Sequence, residues 1–88
     1  MTDKEVADKV KSVLIKWFEV DEDVIEPEAK LREDMELDSL DTVDFVVALE
    51  KEFGFKVVRS KDEPIIRAMK TVSDACRFVK DKLVETVQ

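Results

Sequence analysis

A serine preceded by an aspartate, Asp38-Ser39, opens a run free of helix breakers that reaches Gly54. A hydroxyl in such a place can do two kinds of chemistry: it can attack as a nucleophile, or it can carry a phosphate ester. The chain has no histidine, so a Ser-His-acid arrangement is impossible. No Ser-x-x-Lys motif is centred on Ser39 either. No catalytic residue is assigned, and a non-enzyme is expected. The second kind of chemistry has physical support. With Asp38 as N-cap, the first amides of the helix lack acceptors and the helix dipole puts partial positive charge beside Ser39. A phosphate ester there is stabilised, and a hydroxyl at the first helical position points outward, within reach of a modifying enzyme. On the dipeptide alone, the ordinary reading is that Asp-Ser simply starts a helix.

The helix that Ser39 opens has an unusual distribution of apolar residues. At about 100° per residue, Phe45, Val46, Leu49 and Phe53 share one side, and Leu40, Val43 and Val47 lie nearly opposite. A surface helix in a small bundle needs one apolar stripe, not two. Asp41, Asp44 and Lys51 flank the second stripe. An apolar strip rimmed by charge has the composition of a docking face.

The charge supports contact with basic partners. The chain of 88 residues carries a net charge of −7. From Glu19 to Glu52 there are 14 acidic residues against three basic ones, and the remainder of the chain is net positive. An acidic middle repels phosphates, so nucleic acid is not an expected partner. It attracts basic protein surfaces, although charge of this kind also serves simply as a solvated face. Asp21, Asp23, Glu26, Glu28, Glu33 and Asp34 crowd one segment, but the glycine that an EF-hand loop needs at its sixth position is missing, so no metal site is assigned. Cys76 is the lone cysteine; it can form no internal disulfide, and on an apolar stripe it reads as a buried thiol. No apolar run approaches the roughly 18 residues of a membrane span, and no membrane insertion is expected. Asp3, Glu5 and Asp8 are unlike a signal or transit peptide.

These residues must be positioned by a single domain, 1–88, with one core. One glycine and two prolines favour helices over a many-turned β architecture. Thr2 with Glu5 fits a capping box, and Val6, Val10, Val13, Leu14, Trp17 and Phe18 form the buried face of a first helix at about 3–19. Residues 21–36, with Pro27, read as a long loop pinned to the core by Val24, Ile25, Leu31 and Met35 or Leu37, with a helical turn near 28–32. The second helix spans 39–53 and stops at Gly54. Phe55, Val57 and Val58 form a partly buried extended link. A short third helix follows at 62–69, capped by Ser60 or Asp62, with Pro64 in its first turn and Ile65, Ile66 and Met69 buried. Thr71 with Asp74 caps a fourth helix at 72–85, whose stripe is Val72, Ala75, Cys76, Val79 and Leu83.

The segment Asp38-Ser39-Leu40-Asp41-Thr42-Val43-Asp44-Phe45 resembles the attachment motif of acyl carrier proteins. Its continuation to Gly54, the upstream Leu31 and Asp34, and the later Thr71-Val72-Ser73-Asp74-Ala75 resemble that family as well. The resemblance covers about residues 4–84. It implies an all-α four-helix bundle of acyl-carrier-protein type, with a short third helix and a long loop between the first two. It implies a 4′-phosphopantetheine arm on Ser39, installed from coenzyme A by a phosphopantetheinyl transferase, whose thiol holds acyl groups as thioesters. Asp38 belongs to the motif as the helix cap. Leu40, Asp41, Val43, Asp44, Val47 and Glu50 take the positions that meet basic patches on acyl-transferring and acyl-modifying enzymes. Phe45, Leu49, Ile66 and Met69 are candidates for lining an acyl pocket, with core packing as their ordinary role.

The expected function is therefore a stand-alone, monomeric, cytoplasmic carrier for fatty-acid or related lipid or polyketide biosynthesis. An aminoacyl or peptidyl carrier and an unmodified helical interaction module are the alternatives. Leu37 before the motif, Lys51, and the basic residues Lys56, Arg59, Lys61 and Arg67 depart from the family's usual pattern and suggest a dedicated carrier with unusual partners.

Overall fold

The computed structural model describes residues 2–87. Four helices follow one another: α1 (Asp3–Phe18), α2 (Ser39–Phe53), α3 (Arg59–Ala68) and α4 (Val72–Val87). The described residues contain no strand. A single antiparallel bridge, Lys30 with Thr71, joins the long first loop to the α3–α4 link.

Three helices start on the same device. Thr2 with Glu5, Asp38 with Asp41, and Thr71 with Asp74 each exchange side-chain-to-backbone hydrogen bonds in both directions. Each pair satisfies amides that a helix start leaves without acceptors. Two helices stop on a left-handed residue, Glu19 (φ 55°) after α1 and Gly54 (φ 78°) after α2. The Gly54 N–H donates to the Glu50 carbonyl at 2.9 Å, closing α2.

α1, α2 and α4 pack around a core of Val6, Val10, Val13, Leu14, Phe45, Val46, Leu49, Ala75, Phe78 and Val79. Phe18 meets Phe45 edge-on at 6.0 Å, and Phe55 meets Phe78 in the same way at 5.9 Å. Cys76 is half-buried on α4, and burial pushes its thiol pKa up. Trp17 does not join the core; it is 59% exposed. Val13, Leu14 and the following Phe18 do pack inward, Phe18 on Phe45, so the helix is still against the core at the turn where Trp17 is left uncovered.

The long loop is ordered by burial rather than by regular structure. Ile25, Ala29, Leu31, Met35 and Leu37 are all buried, and Val24 is partly so. The sequence leaves Met35 or Leu37 as alternatives; both point inward because Glu36 between them takes a left-handed conformation (φ 58°) that turns the chain. The loop has a 3-10 turn at Glu22–Val24; near 28–32 it makes no regular helix, but a hydrogen-bonded turn at Glu26–Ala29, the bridge to Thr71 and a helix-like turn closed by the Asp34 N–H on the Lys30 carbonyl at 2.9 Å hold the backbone.

α3 departs most from expectation. It begins at Arg59, a turn before the expected start, and Pro64 lies inside it rather than in the first turn. The reason is Asp62. Its carboxylate does not cap a helix beginning at 62; it accepts from the Val58 N–H at 2.8 Å and from Lys82 Nζ on α4 at 2.8 Å. Those bonds draw the first turn together. Proline at the sixth helical residue removes one backbone hydrogen bond, which the anchored turn tolerates. Most of the described α3 side chains face solvent. Ile66 is half-buried and Met69, just beyond the helix, is buried, but Ile65 and Val58 are exposed, against expectation.

Candidate functional site

The reciprocal pair at the head of α2 determines where Ser39 stands. Asp38 Oδ1 accepts from the Asp41 N–H at 2.8 Å, and Asp41 Oδ2 accepts from the Asp38 N–H at 3.2 Å. Thr42 Oγ1 adds a bond to the Asp38 carbonyl at 3.0 Å. Asp38 is thus the N-cap and Ser39 the first helical residue. The amides of Ser39 and Leu40 retain no intrahelical acceptor. The Ser39 side chain is exposed and has no hydrogen bond among the described residues. An outward hydroxyl beside free amides and the positive end of a helix dipole fits a phosphodiester: nothing hinders access, and the developing negative charge is stabilised.

The two stripes of α2 separate as the helical wheel requires. Phe45, Val46, Ala48 and Leu49 are buried. On the other side Leu40, Val43 and Val47 are 74%, 43% and 42% exposed. Asp44 is exposed beside them, and Asp41 is partly covered by its capping role. Glu50 is differently placed. Its Oε2 accepts from the Val57 N–H at 2.7 Å, which ties the end of α2 to the link before α3.

An open groove of about 1160 Å³ runs from Ser39 between the first loop, α2 and α3. Leu37, Val46, Val47, Val57, Ile66 and Met69 supply much of its apolar wall. Of the four pocket candidates from the sequence, Ile66 and Met69 line it. Phe45 and Leu49 do not; they are wholly buried in the core on the far side of α2. The lining from Leu37 and Val57 was not anticipated, because loop and link residues carry no periodicity that shows which way they face.

The acidic segment does not gather into a metal site. Among the described residues no three His, Cys, Asp or Glu side chains converge as ligands. Lys11 pairs with Glu22 at 3.1 Å and Lys30 with Glu33 at 3.3 Å, while Asp34 accepts from the Lys30 N–H at 2.8 Å. No helix of the described residues is long and apolar enough to cross a membrane.

Residues 8–59, which contain most of α1, the long loop, α2 and the first residue of α3, match the family described as the phosphopantetheine attachment site. The chain is 36% identical over 83 residues to the acyl carrier protein of Thermosynechococcus vestitus, covering 94% of this chain and 98% of that one. It belongs to the acyl carrier protein family. The acyl carrier protein of Lactobacillus acidophilus is also 36% identical, over 80 residues, with 91% and 95% of the two chains covered. The fold matches a crystal structure of the acyl carrier protein from Thermotoga maritima with a TM-score of 0.78 at 24% identity, over 96% of this chain and 93% of that one. Members of the family are carriers rather than enzymes, and this carrier bears a covalent 4′-phosphopantetheine. It works with acyl-handling enzymes and a phosphopantetheinyl transferase.

Proposed function

We propose that Ser39 is the attachment point of the arm, and that the carrier presents acyl thioesters to enzymes of fatty-acid or related lipid or polyketide biosynthesis in the cytoplasm. One observation carries the assignment: the Ser39 hydroxyl is exposed and unbonded at the start of α2, at one end of a groove with apolar walls. The bound group supplies a terminal thiol on which acyl chains are held as thioesters. The chain itself supplies position and recognition. Asp38 and Asp41 hold the turn that projects Ser39. Leu40, Val43 and Val47 form the apolar strip on which partners dock, and Asp38, Asp41, Asp44 and Glu50 provide negative charge along it. A modest apolar strip with charge at its edge suits a protein that must bind several enzymes in turn and leave each one, because charge raises the rate of encounter without adding much lifetime.

Incubation of the apo protein with coenzyme A and a broad-specificity phosphopantetheinyl transferase tests the assignment. Intact-mass analysis is expected to show a single phosphopantetheine addition, mapped to Ser39 and lost in Ser39→Ala with helical circular dichroism intact. An unmodified Ser39, with the same transferase active on another carrier, rejects it. Retention of the cellular function by Ser39→Ala would instead identify an interaction module that needs no arm.

A further inference from the structure

The groove that starts at Ser39 contains two cations with no ion-pair partner among the described residues. Two of its four carboxylates are held in ion pairs, and the other two accept backbone N–H groups, which leaves their charge in place. Glu33 pairs with Lys30 at 3.3 Å and Glu63 with Arg67 at 2.7 Å. Glu50 accepts from the Val57 N–H and Asp38 from the Asp41 N–H. Arg32 and Lys70 also line the groove, are exposed, and have no carboxylate within ion-pair distance among the described residues. The backbone brings them together: the Leu31 N–H donates to the Lys70 carbonyl at 2.8 Å, beside the Lys30–Thr71 bridge. Arg32 and Lys70 thus flank one crossing point of the chain, on the wall formed by the first loop and the α3–α4 link. In a protein of net charge −7, these two cations beside apolar walls give this wall of the groove a preference for negative charge, apart from the free amides at the head of α2.

We propose that Arg32 and Lys70 form an anion-recognising wall, and that the groove selects acyl cargo bearing a carboxylate remote from its thioester over cargo that ends in a methyl group. The proposal rests on the reading of Ser39 as the attachment point. An acyl chain lies along the apolar wall, and its far carboxylate meets the two cations. Arginine offers a planar fork to the carboxylate and lysine a point charge. The other anion available at this site is the phosphodiester next to Ser39, which every loaded form shares and which therefore cannot by itself distinguish cargoes.

The test loads the full-length apo protein with arms from two series of coenzyme A thioesters matched in carbon count: butyryl, hexanoyl and octanoyl against succinyl, adipoyl and suberoyl. Mass addition is checked first; failure to load rejects the assignment of Ser39 and is distinct from everything that follows. Among loaded forms, at least one carboxylated arm is expected to shift the backbone amide resonances of Arg32, Lys70 and Thr71 relative to its methyl-ended counterpart. Its thioester is expected to hydrolyse roughly two- to five-fold more slowly than the same arm on the Arg32→Gln, Lys70→Gln double variant, a comparison that cancels attack of the arm's own carboxylate on its thioester; the size is that of a solvent-exposed ion pair. Both differences should shrink with added salt, and the amide shifts should vanish in the double variant. Neither side chain makes a bond that the fold uses, so the helical signal of that variant is expected to stay unchanged. Equal behaviour of the two series at all three lengths overturns the proposal. So does an unacylated arm that shifts the same amides as strongly as any carboxylated one, since the wall would then be reading the phosphodiester.

Discussion

Lys82 Nζ, on α4, donates to Asp62 Oδ2, on α3, across 2.8 Å, and the two side chains are only 6% and 2% exposed. The pair joins helices that otherwise touch little, and it does so beneath the link that leads from α2. Removing Lys82 leaves the Asp62 carboxylate buried with the Val58 N–H but no cation beside it, and breaking a buried pair in this way typically costs about 3–5 kcal/mol. In a domain of this size that is a large part of the total stability. Lys82→Met alone is therefore expected to shift the urea midpoint strongly, and Asp62→Leu with Lys82→Met to recover most of the loss. Equal midpoints for the single and double variants would contradict this account.

Acid should weaken the same region. Burial acts to raise the Asp62 pKa, but the bonds from Lys82 and from the Val58 N–H outweigh it and hold the carboxyl below its ordinary 3.8. Asp74 is lowered chiefly by the Lys70 N–H, against burial, with help from the Thr71 N–H and hydroxyl. A carboxyl whose folded pKa lies below its unfolded one stabilises the fold fully above the unfolded value. That contribution disappears as pH falls toward the folded value. Thermal stability is thus expected to drop below about pH 4 through these two groups, and Asp74→Asn to show a shallower drop than the parent. Parallel melting curves for parent and variant across that range would count against it.

The exposed strip of α2 makes a kinetic prediction. Asp44 is exposed and has no ion pair among the described residues, so its charge is free to steer a basic partner. Asp44→Lys is expected to slow arm attachment by a phosphopantetheinyl transferase several-fold at low salt. The deficit should narrow as ionic strength rises through about 0.15 M, where charges farther apart than roughly 8 Å are screened. A rate unaffected at low salt would remove Asp44 from the docking face.

Trp17 supplies an optical check. At 59% exposure its indole contributes little packing, so Trp17→Ser should change stability by no more than about 0.5 kcal/mol. The tryptophan of the native protein should emit as a water-exposed indole and be readily quenched by iodide. A blue-shifted, protected emission would return Trp17 to the core.

How far the site could be read from the sequence follows from how local its causes are. Ser39, its Asp38 cap and the two stripes of α2 are legible because a helix repeats every 3.6 residues and a cap is decided within four. The starts of α1, α2 and α4 were legible for the same reason. Trp17 was misplaced because spacing tells which side of a helix a residue takes and not whether a neighbour covers it there; Phe18, the next residue, is covered. The early start of α3 depends on Lys82, twenty residues away from Asp62 in sequence, and no local pattern announces that bond. The groove wall was hidden in the same way, since Leu37 and Val57 face inward through a left-handed Glu36 and a hydrogen bond to Glu50 rather than through any period.

The bridge between Lys30 and Thr71 has a topological consequence. The Leu31 N–H bonds the Lys70 carbonyl, and the Val72 N–H bonds the Ala29 carbonyl at 3.1 Å. Together they close residues 30–71 into a lasso whose neck is two peptide bonds wide, with α1 and α4 packed on each other outside it. Loosening the neck frees the α3 side of the noose, while α2, also inside it, stays held through Phe45, Val46 and Leu49 in the core it shares with α1 and α4.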